Sequence, residues 1–216
     1  SSDLPYDMTN DIGAGPYAVP YRWRPMTFEI DGQEYTHERA IATQQTGFSF
    51  VGQLRSDLPA PMRGLLWFGT DDANTCVYLP VFCSVKKAPA QLGHGDVNTL
   101  DWNSNFWVNN YVANQAYNRY SQMIPDIRRV QSSLEDSIAA DVAVALEQIP
   151  AFNDDEIAAK LTQDLADIWA EKATTAYKHL GDYLFVKFMD GNRKKTDDNH
   201  QFIKSEYGMA IYPEFP

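Results

Sequence analysis

Three runs near the front of the chain are rich in β-branched and aromatic residues: 40–51, 64–68 and 75–85. Between them lie 56–61 and the polar stretch 69–74, both good turn material. In the first run Phe48 and Phe50 alternate with Ser49 and Val51, which suits a strand with one face on a core. Ahead of these runs, Phe28–Ile30 and 33–37 flank Asp31-Gly32, a dipeptide that favours a type I′ turn and predicts a hairpin at 26–37. Residues 1–21 read as loop, because Gly13, Gly15, Pro16 and Pro20 fall too close together for a helix or an interior strand. The simplest arrangement is a small antiparallel sheet with later helices covering one face.

Beyond Val85 the period changes. After a connection over 86–101, Asn103 or Ser104 can cap a helix whose residues Phe106, Ala113, Tyr117 and Tyr120 share a face. Its amides, Asn109, Asn110, Asn114 and Asn118, are read as hydrogen-bonded core-edge groups or as the lining of a binding site. Pro125 predicts a break or a helix start. From there Val130, Leu134, Ile138, Val142, Ala145 and Ile149 keep the 3.6-residue period up to Pro150. Asn153 or Asp154 caps a further helix, with Ile157, Leu161, Leu165, Ile168 and Trp169 as its expected buried stripe and Gly181 as its expected end. Residues 183–188 are apolar without a clean period and fit helix or strand. The expected organisation is α+β: a loop and strand layer over 1–90, a helical layer over 103–190, and a mobile loop with an extended tail over 191–216.

Charge and cysteine content narrow the function classes. A formal charge of −11 over 216 residues argues against nucleic acid or an anionic membrane surface as partner. The alternating Tyr21-Arg22-Trp23-Arg24-Pro25 reads instead as cation–π packing on Trp23. No apolar run is long enough to span a bilayer. Cys76 and Cys83 would lie about 23 Å apart in an extended run, too far for a disulfide. Two cysteines are also too few for a zinc site, so they read as small, half-buried thiols.

Little in the chain points to catalysis on its own. The four histidines are scattered, and neither a nucleophile elbow nor a phosphate loop occurs. Gly13-Ala14-Gly15 lacks the preceding strand and following helix of a dinucleotide site. Asp71-Asp72, Asp154-Asp155-Glu156 and Asp197-Asp198 fit capping better than calcium. No metal and no cofactor is expected. Arg39 stands out, because a strand should enter the core there; its charge must either pair with Glu38 or another acid, or face a cleft.

Several separated blocks carry a resemblance. Glu38-Arg39-Ala40-Ile41-Ala42-Thr43-Gln44-Gln45-Thr46, then Phe50-Val51-Gly52-Gln53-Leu54-Arg55 and Leu66-Trp67-Phe68-Gly69, resemble the C-terminal half of the C69 family of bacterial dipeptidases. The likeness extends upstream through Tyr6-Asp7-Met8-Thr9 and Gly13-Ala14-Gly15-Pro16, and downstream from Phe106-Trp107 to Tyr117-Asn118-Arg119-Tyr120. It implies an N-terminal-nucleophile hydrolase on an αββα sandwich, whose cysteine thiol attacks a peptide carbonyl with its own α-amine as base.

This chain begins Ser1-Ser2-Asp3, so the resemblance implies a C-terminal portion whose nucleophile lies elsewhere. Related cysteine hydrolases place an arginine near the nucleophile, which makes Arg39 the candidate catalytic residue; substrate-binding residues stay unassigned. The implied partners are a short peptide and the N-terminal half of the parent protein. A sheet built to face that half should be left with an uncovered apolar side, or be covered by a second copy in a homo-oligomer. A non-catalytic binding or structural module and another amide hydrolase or acyltransferase are the alternatives. No signal peptide is legible, which in a C-terminal portion leaves cytoplasmic and extracytoplasmic (periplasmic or secreted) locations both open.

Overall fold

The computed structural model describes residues 12–20, 27–36 and 42–204. A 3₁₀ helix, Ile12–Tyr17, broken at Gly15 (φ 66°), stands within the stretch read as loop, and the first strands form a hairpin of β1 (Thr27–Ile30) and β2 (Gln33–Thr36), paired Ile30 to Gln33 and Thr27 to Thr36. Asp31 and Gly32 both have positive φ, 53° and 76°, as a type I′ turn requires. Phe28 stacks on Tyr35 across the pair. The interleaved aromatic and arginine segment that follows residue 20 lies outside the described residues.

A three-stranded antiparallel sheet follows in the order β3 (Phe48–Leu54), β4 (Gly64–Thr70), β5 (Leu79–Phe82). β3 starts at Phe48 because Thr43 and Thr46 close a turn just before it, Thr46 N–H donating to the Thr43 carbonyl. β5 is shorter than the run 75–85 because Asp72 folds the preceding residues into a turn. The register sets the two sheet faces. Leu65 pairs with Phe82, and with Trp67 they point to the helices. Phe50 pairs with Phe68 and Leu66 with Val81, on the opposite side. That opposite side leaves Phe48 60%, Phe50 58% and Leu54 87% exposed. Trp67 and Phe82 therefore belong to the covered face rather than to the open one, and the open face is built by Phe48, Phe50, Leu54, Leu66, Phe68 and Val81.

The helices α1 (Asn105–Ala116), α2 (Tyr120–Gln148) and α3 (Asp155–Lys187) close the other side. α1 turns Val108, Val112 and Ala116 inward, with Asn105 and Asn109 buried beside them, so the face holding Phe106 and Tyr117 is not the one at the centre of the core. Pro125 sits inside α2 rather than at its start. It lies in the second turn, where the only intrahelical bond it removes is the one to Ser121. Asp154 caps α3 as its sequence suggested, its Oδ1 accepting from the main-chain N–H groups of Glu156 and Ile157 at 2.8 and 3.1 Å. Of the expected stripe of α3, Trp169 is buried and Leu161 and Leu165 pack against the core, but Ile157 and Ile168 are exposed, and Ala158, Thr162, Ala166, Ala170 and Ala173 face inward instead. Small residues let α3 approach β5 and α1 closely.

Gly181 does not end α3. A Cβ there would stand 2.3 Å from the Tyr111 ring, so the glycine admits an aromatic side chain of α1 into the helix surface. The chain runs on as helix through Lys187, which settles 183–187 as helical. Beyond it, Asp197 organises a turn and Phe202 stacks on Tyr183. Residues 205–216 lie outside the described residues. No helix among the described residues is long and apolar enough to cross a membrane.

Candidate functional site

The polar end of β4 is the chemically distinctive part of the molecule. Thr70 is buried, and its hydroxyl donates to Asn105 Oδ1 at 2.7 Å while accepting from Asn109 Nδ2 at 3.0 Å. Asn105 Nδ2 donates in turn to Thr174 Oγ1 at 3.0 Å, which ties β4, α1 and α3 together through side chains alone. These amides are the hydrogen-bonded core-edge groups that the asparagine-rich helix allows.

Asp71 leaves the strand with φ 65°, its N–H donating to the Gly47 carbonyl at 2.8 Å. Its carboxylate is turned inward and is 1% exposed. Oδ1 accepts from Asn110 Nδ2 at 2.9 Å, while Oδ2 is buried without a hydrogen-bond partner among the described residues. Burial is the main reason that its pKa is pushed up to about 6; the Asn110 bond and a main-chain bond from Asp72 oppose the shift, and the Asp72 charge adds a little to it. A carboxyl in this state exchanges a proton near neutral pH and retains an unused acceptor. Asp72 is occupied differently: Oδ1 accepts from Asn74 N–H and Oδ2 from the Thr75 hydroxyl, so it shapes the turn.

On the far side of that turn Asn74 Nδ2 donates to the Tyr120 hydroxyl at 2.6 Å, and Arg128 Nη1 donates to the Asn74 carbonyl at 2.7 Å. Arg128 Nη2 also donates to Asn74 Oδ1, and Gln131 Nε2 reaches the Cys76 carbonyl. Glu135 accepts from Tyr78 N–H, and its pKa is raised mainly by burial. Tyr117 lies beside this cluster electrostatically, its hydroxyl pushed upward by burial and then by Asp72 and Asp71.

Both cysteines are free. Cys76 is fully buried, and its thiol is pushed up to about 12 by burial, with Asp72 and Glu135 adding to it. A thiolate nucleophile cannot form there at neutral pH. Cys83 is exposed on the open side of the sheet, and no hydrogen bond joins its thiol to a base among the described residues. His94 pairs with Asp101 at 2.8 Å on the surface, while His179 and His200 line a separate shallow cleft. No group of three or more His, Cys, Asp or Glu among the described residues could hold a metal ion.

Arg39, the arginine singled out by its place at a strand entry, lies outside the described residues, as does His37. The group that sequence reasoning missed is Asp71, read there with Asp72 as a capping pair. The signal was present: an acid doublet at the end of a strand offers one carboxylate to the turn, and the other must go elsewhere.

The architecture is that of an α+β protein with an antiparallel sheet carrying helices on one face, and with a buried polar cluster at one end of its central strand. Residues 2–133 match the model of peptidase family C69, and the chain belongs to that family of peptidases. A comparison with curated proteins finds no match.

Proposed function

We propose that this chain works as the C-terminal portion of a cysteine-dependent dipeptidase whose nucleophile lies outside these 216 residues. In that reading the α-amine of an N-terminal cysteine takes the thiol proton, and the sulfur attacks the carbonyl carbon of a short peptide. The C–N bond then breaks as the leaving amine takes up that proton, and water hydrolyses the thioester to restore the thiol. Hydrogen-bond donors around the carbonyl oxygen stabilise the charge it carries in between. The chain supplies the far wall of the site and one sheet of an αββα sandwich, with Arg39 placed near the reacting sulfur.

The observation that carries this reading is the open apolar face of the β3–β4–β5 sheet, in a chain that belongs to a peptidase family. Phe48 and Phe68 stack at 5.8 Å between centroids on that face, and Phe50 and Leu54 extend it. Each such side chain contributes about 1.5–3 kcal/mol when buried, so a second sheet docked there gains several of these at once. The cysteine environments agree, since Cys76 is buried with a strongly raised pKa and Cys83 has no base bonded to it among the described residues.

The test is to assay a panel of dipeptides with the purified chain and with the chain produced together with its upstream coding region. Hydrolysis is expected only in the second case and should be lost when the upstream cysteine is replaced by alanine. Arg39→Gln in that complete protein should lower kcat by about 10²-fold or more, the usual scale for losing one charge-stabilising group. Turnover by the 216-residue chain alone, abolished by Cys83→Ser, would overturn the reading.

A further inference from the structure

A second cleft lies where the turn between α1 and α2 meets the end of α3, a site separate from the Asp71 cluster. It has a volume of about 230 Å³, and both Arg119 and Asp190 line it. The rest of the lining is Gln115 and Asn118 together with the apolar Met123, Leu184, Phe185, Phe188 and Met189. Phe185 and Met189 are 58% and 40% exposed, although both are large hydrophobic side chains.

The two charged groups are not spent on each other. Arg119 and Asp190 do not come within ion-pair distance, and no carboxylate among the described residues pairs with Arg119. The one hydrogen bond of its guanidinium among those residues runs to the Asn192 carbonyl at 3.4 Å, longer than a normal N–H···O bond. A guanidinium presents five donors in a planar fork suited to a carboxylate, so most of that capacity stays unused.

The backbone at the rim is left-handed, at Asp190 in a residue that is not glycine. Asp190 has φ 57° and Gly191 φ 80°, which folds the chain back over the guanidinium; a Cβ on Gly191 would stand 3.4 Å from Arg119 Nη2. Left-handed backbone at a non-glycine residue costs free energy and collects at ligand sites.

We propose that this cleft binds a free apolar α-amino acid as its zwitterion, the carboxylate on Arg119, the ammonium on Asp190 and the side chain against Phe185 and Met189. A cation and an anion close to each other at Gly191, beside apolar side chains, match the two charges on one carbon and the hydrocarbon of such a molecule. A plain anion would use Arg119 but would be repelled by Asp190, and a plain hydrocarbon would leave both charges without a role. The proposal stands on this cleft alone, so its failure leaves the peptidase reading untouched. Equally, a loss of hydrolysis elsewhere would not remove the cleft.

The experiment titrates the ¹⁵N-labelled chain with L-leucine and follows amide shifts by NMR. A single saturable site centred on residues 119, 185 and 189 is expected. Arg119→Gln and Asp190→Asn should each weaken binding by about ten-fold or more, the scale of one charge-assisted contact. N-acetyl-leucine, leucinamide and glycine should each bind more weakly by a similar factor, because each lacks one of the three elements. If Arg119→Gln does not fold, Phe185→Glu at an exposed position fills the cleft with charge and should abolish the shifts. Absence of saturable shifts, unchanged affinity in Arg119→Gln or Asp190→Asn, or leucine shifts that survive Phe185→Glu would each overturn the proposal. Equal binding of leucinamide and leucine would do the same.

Discussion

Asp126 and Asp71 are both withdrawn from solvent, one under the last turn of α3 and the other at the end of β4. Around Asp126 the chain has completed the charge: Lys187 Nζ donates to Oδ1 at 2.9 Å and to Oδ2 at 2.7 Å, and the Tyr183 hydroxyl lies at 3.4 Å. Lys187 is itself buried. Around Asp71 the chain supplies the Asn110 amide and a main-chain bond from Asp72, and among the described residues Oδ2 is left without a partner. The contrast separates two uses of a buried acid. A carboxylate paired on both oxygens fixes how two helices sit together. A half-satisfied one raises its own pKa and is held ready for a proton or a donor that comes from elsewhere.

The largest effect should come from making Asp126 resemble Asp71. Lys187→Met leaves a buried carboxylate without its cation and should cost about 3–5 kcal/mol. Urea unfolding measures this, and replacing Asp126 by leucine in the same variant should recover most of the loss. A Lys187→Met chain as stable as the parent would show that burial, not pairing, governs Asp126.

The next effect has the opposite sign. Asp71→Asn removes the charge that burial opposes and keeps a residue tolerant of positive φ, so it should stabilise the fold at pH 7 by about 1–3 kcal/mol. The pH dependence follows from the raised pKa of about 6. The folded state binds the proton more tightly than the unfolded chain does. Asp71 is therefore compatible with full stability below the ordinary carboxylate pKa of about 4 and weakens the fold as pH rises through about 6. Unfolding midpoints between pH 4 and 7 should fall in the parent by that contribution and lack it in Asp71→Asn. An unchanged profile would mean that Asp71 already has a partner in solution.

The smallest effect concerns Asn110. Asn110→Ala removes the side-chain bond to the Asp71 carboxylate and should cost about 1 kcal/mol at pH 7. It should also move the Asp71 titration upward, which ¹³C NMR of the carboxyl carbon reads directly. In Asp71→Asn the same Asn110 change should cost less, because a neutral partner has less to lose.

What could be read from the sequence was whatever neighbours along the chain decide. Asp31-Gly32 fixed its turn with two residues, and Asp154 announced its helix by lying just before Asp155 and Glu156. Gly181 misled because its reason sits on another helix: the space it leaves is taken by Tyr111, seventy positions earlier in the chain. The inward face of α3 was read in part, since Leu161, Leu165 and Trp169 do pack on the core, and its two isoleucines misled for a related cause. Ile157 and Ile168 are more hydrophobic than Ala158 and Ala166, yet close approach to β5 and α1 selected the smaller set. Asp71 was hidden by its neighbour, since nothing local tells which member of an acid doublet will serve the turn. Arg39 was chosen on the cost of burying a charge, and its surroundings lie outside the described residues.

The bond from the Tyr177 hydroxyl to the Thr75 carbonyl joins positions 102 residues apart, and Thr174 completes the amide chain that begins at Thr70. A ribosome adding about 5–20 residues each second needs roughly 5–20 s to make that stretch. Through this interval the nascent strands have neither α3 to close Leu65 and Phe82 nor an acceptor for Asn105. The match to the peptidase family ends at residue 133, before α3 begins, but the strands within it cannot finish folding until the chain beyond it has been made. Any holding factor that binds extended apolar segments would meet this protein in those seconds, at the sheet, and would be displaced by its own C-terminal helix.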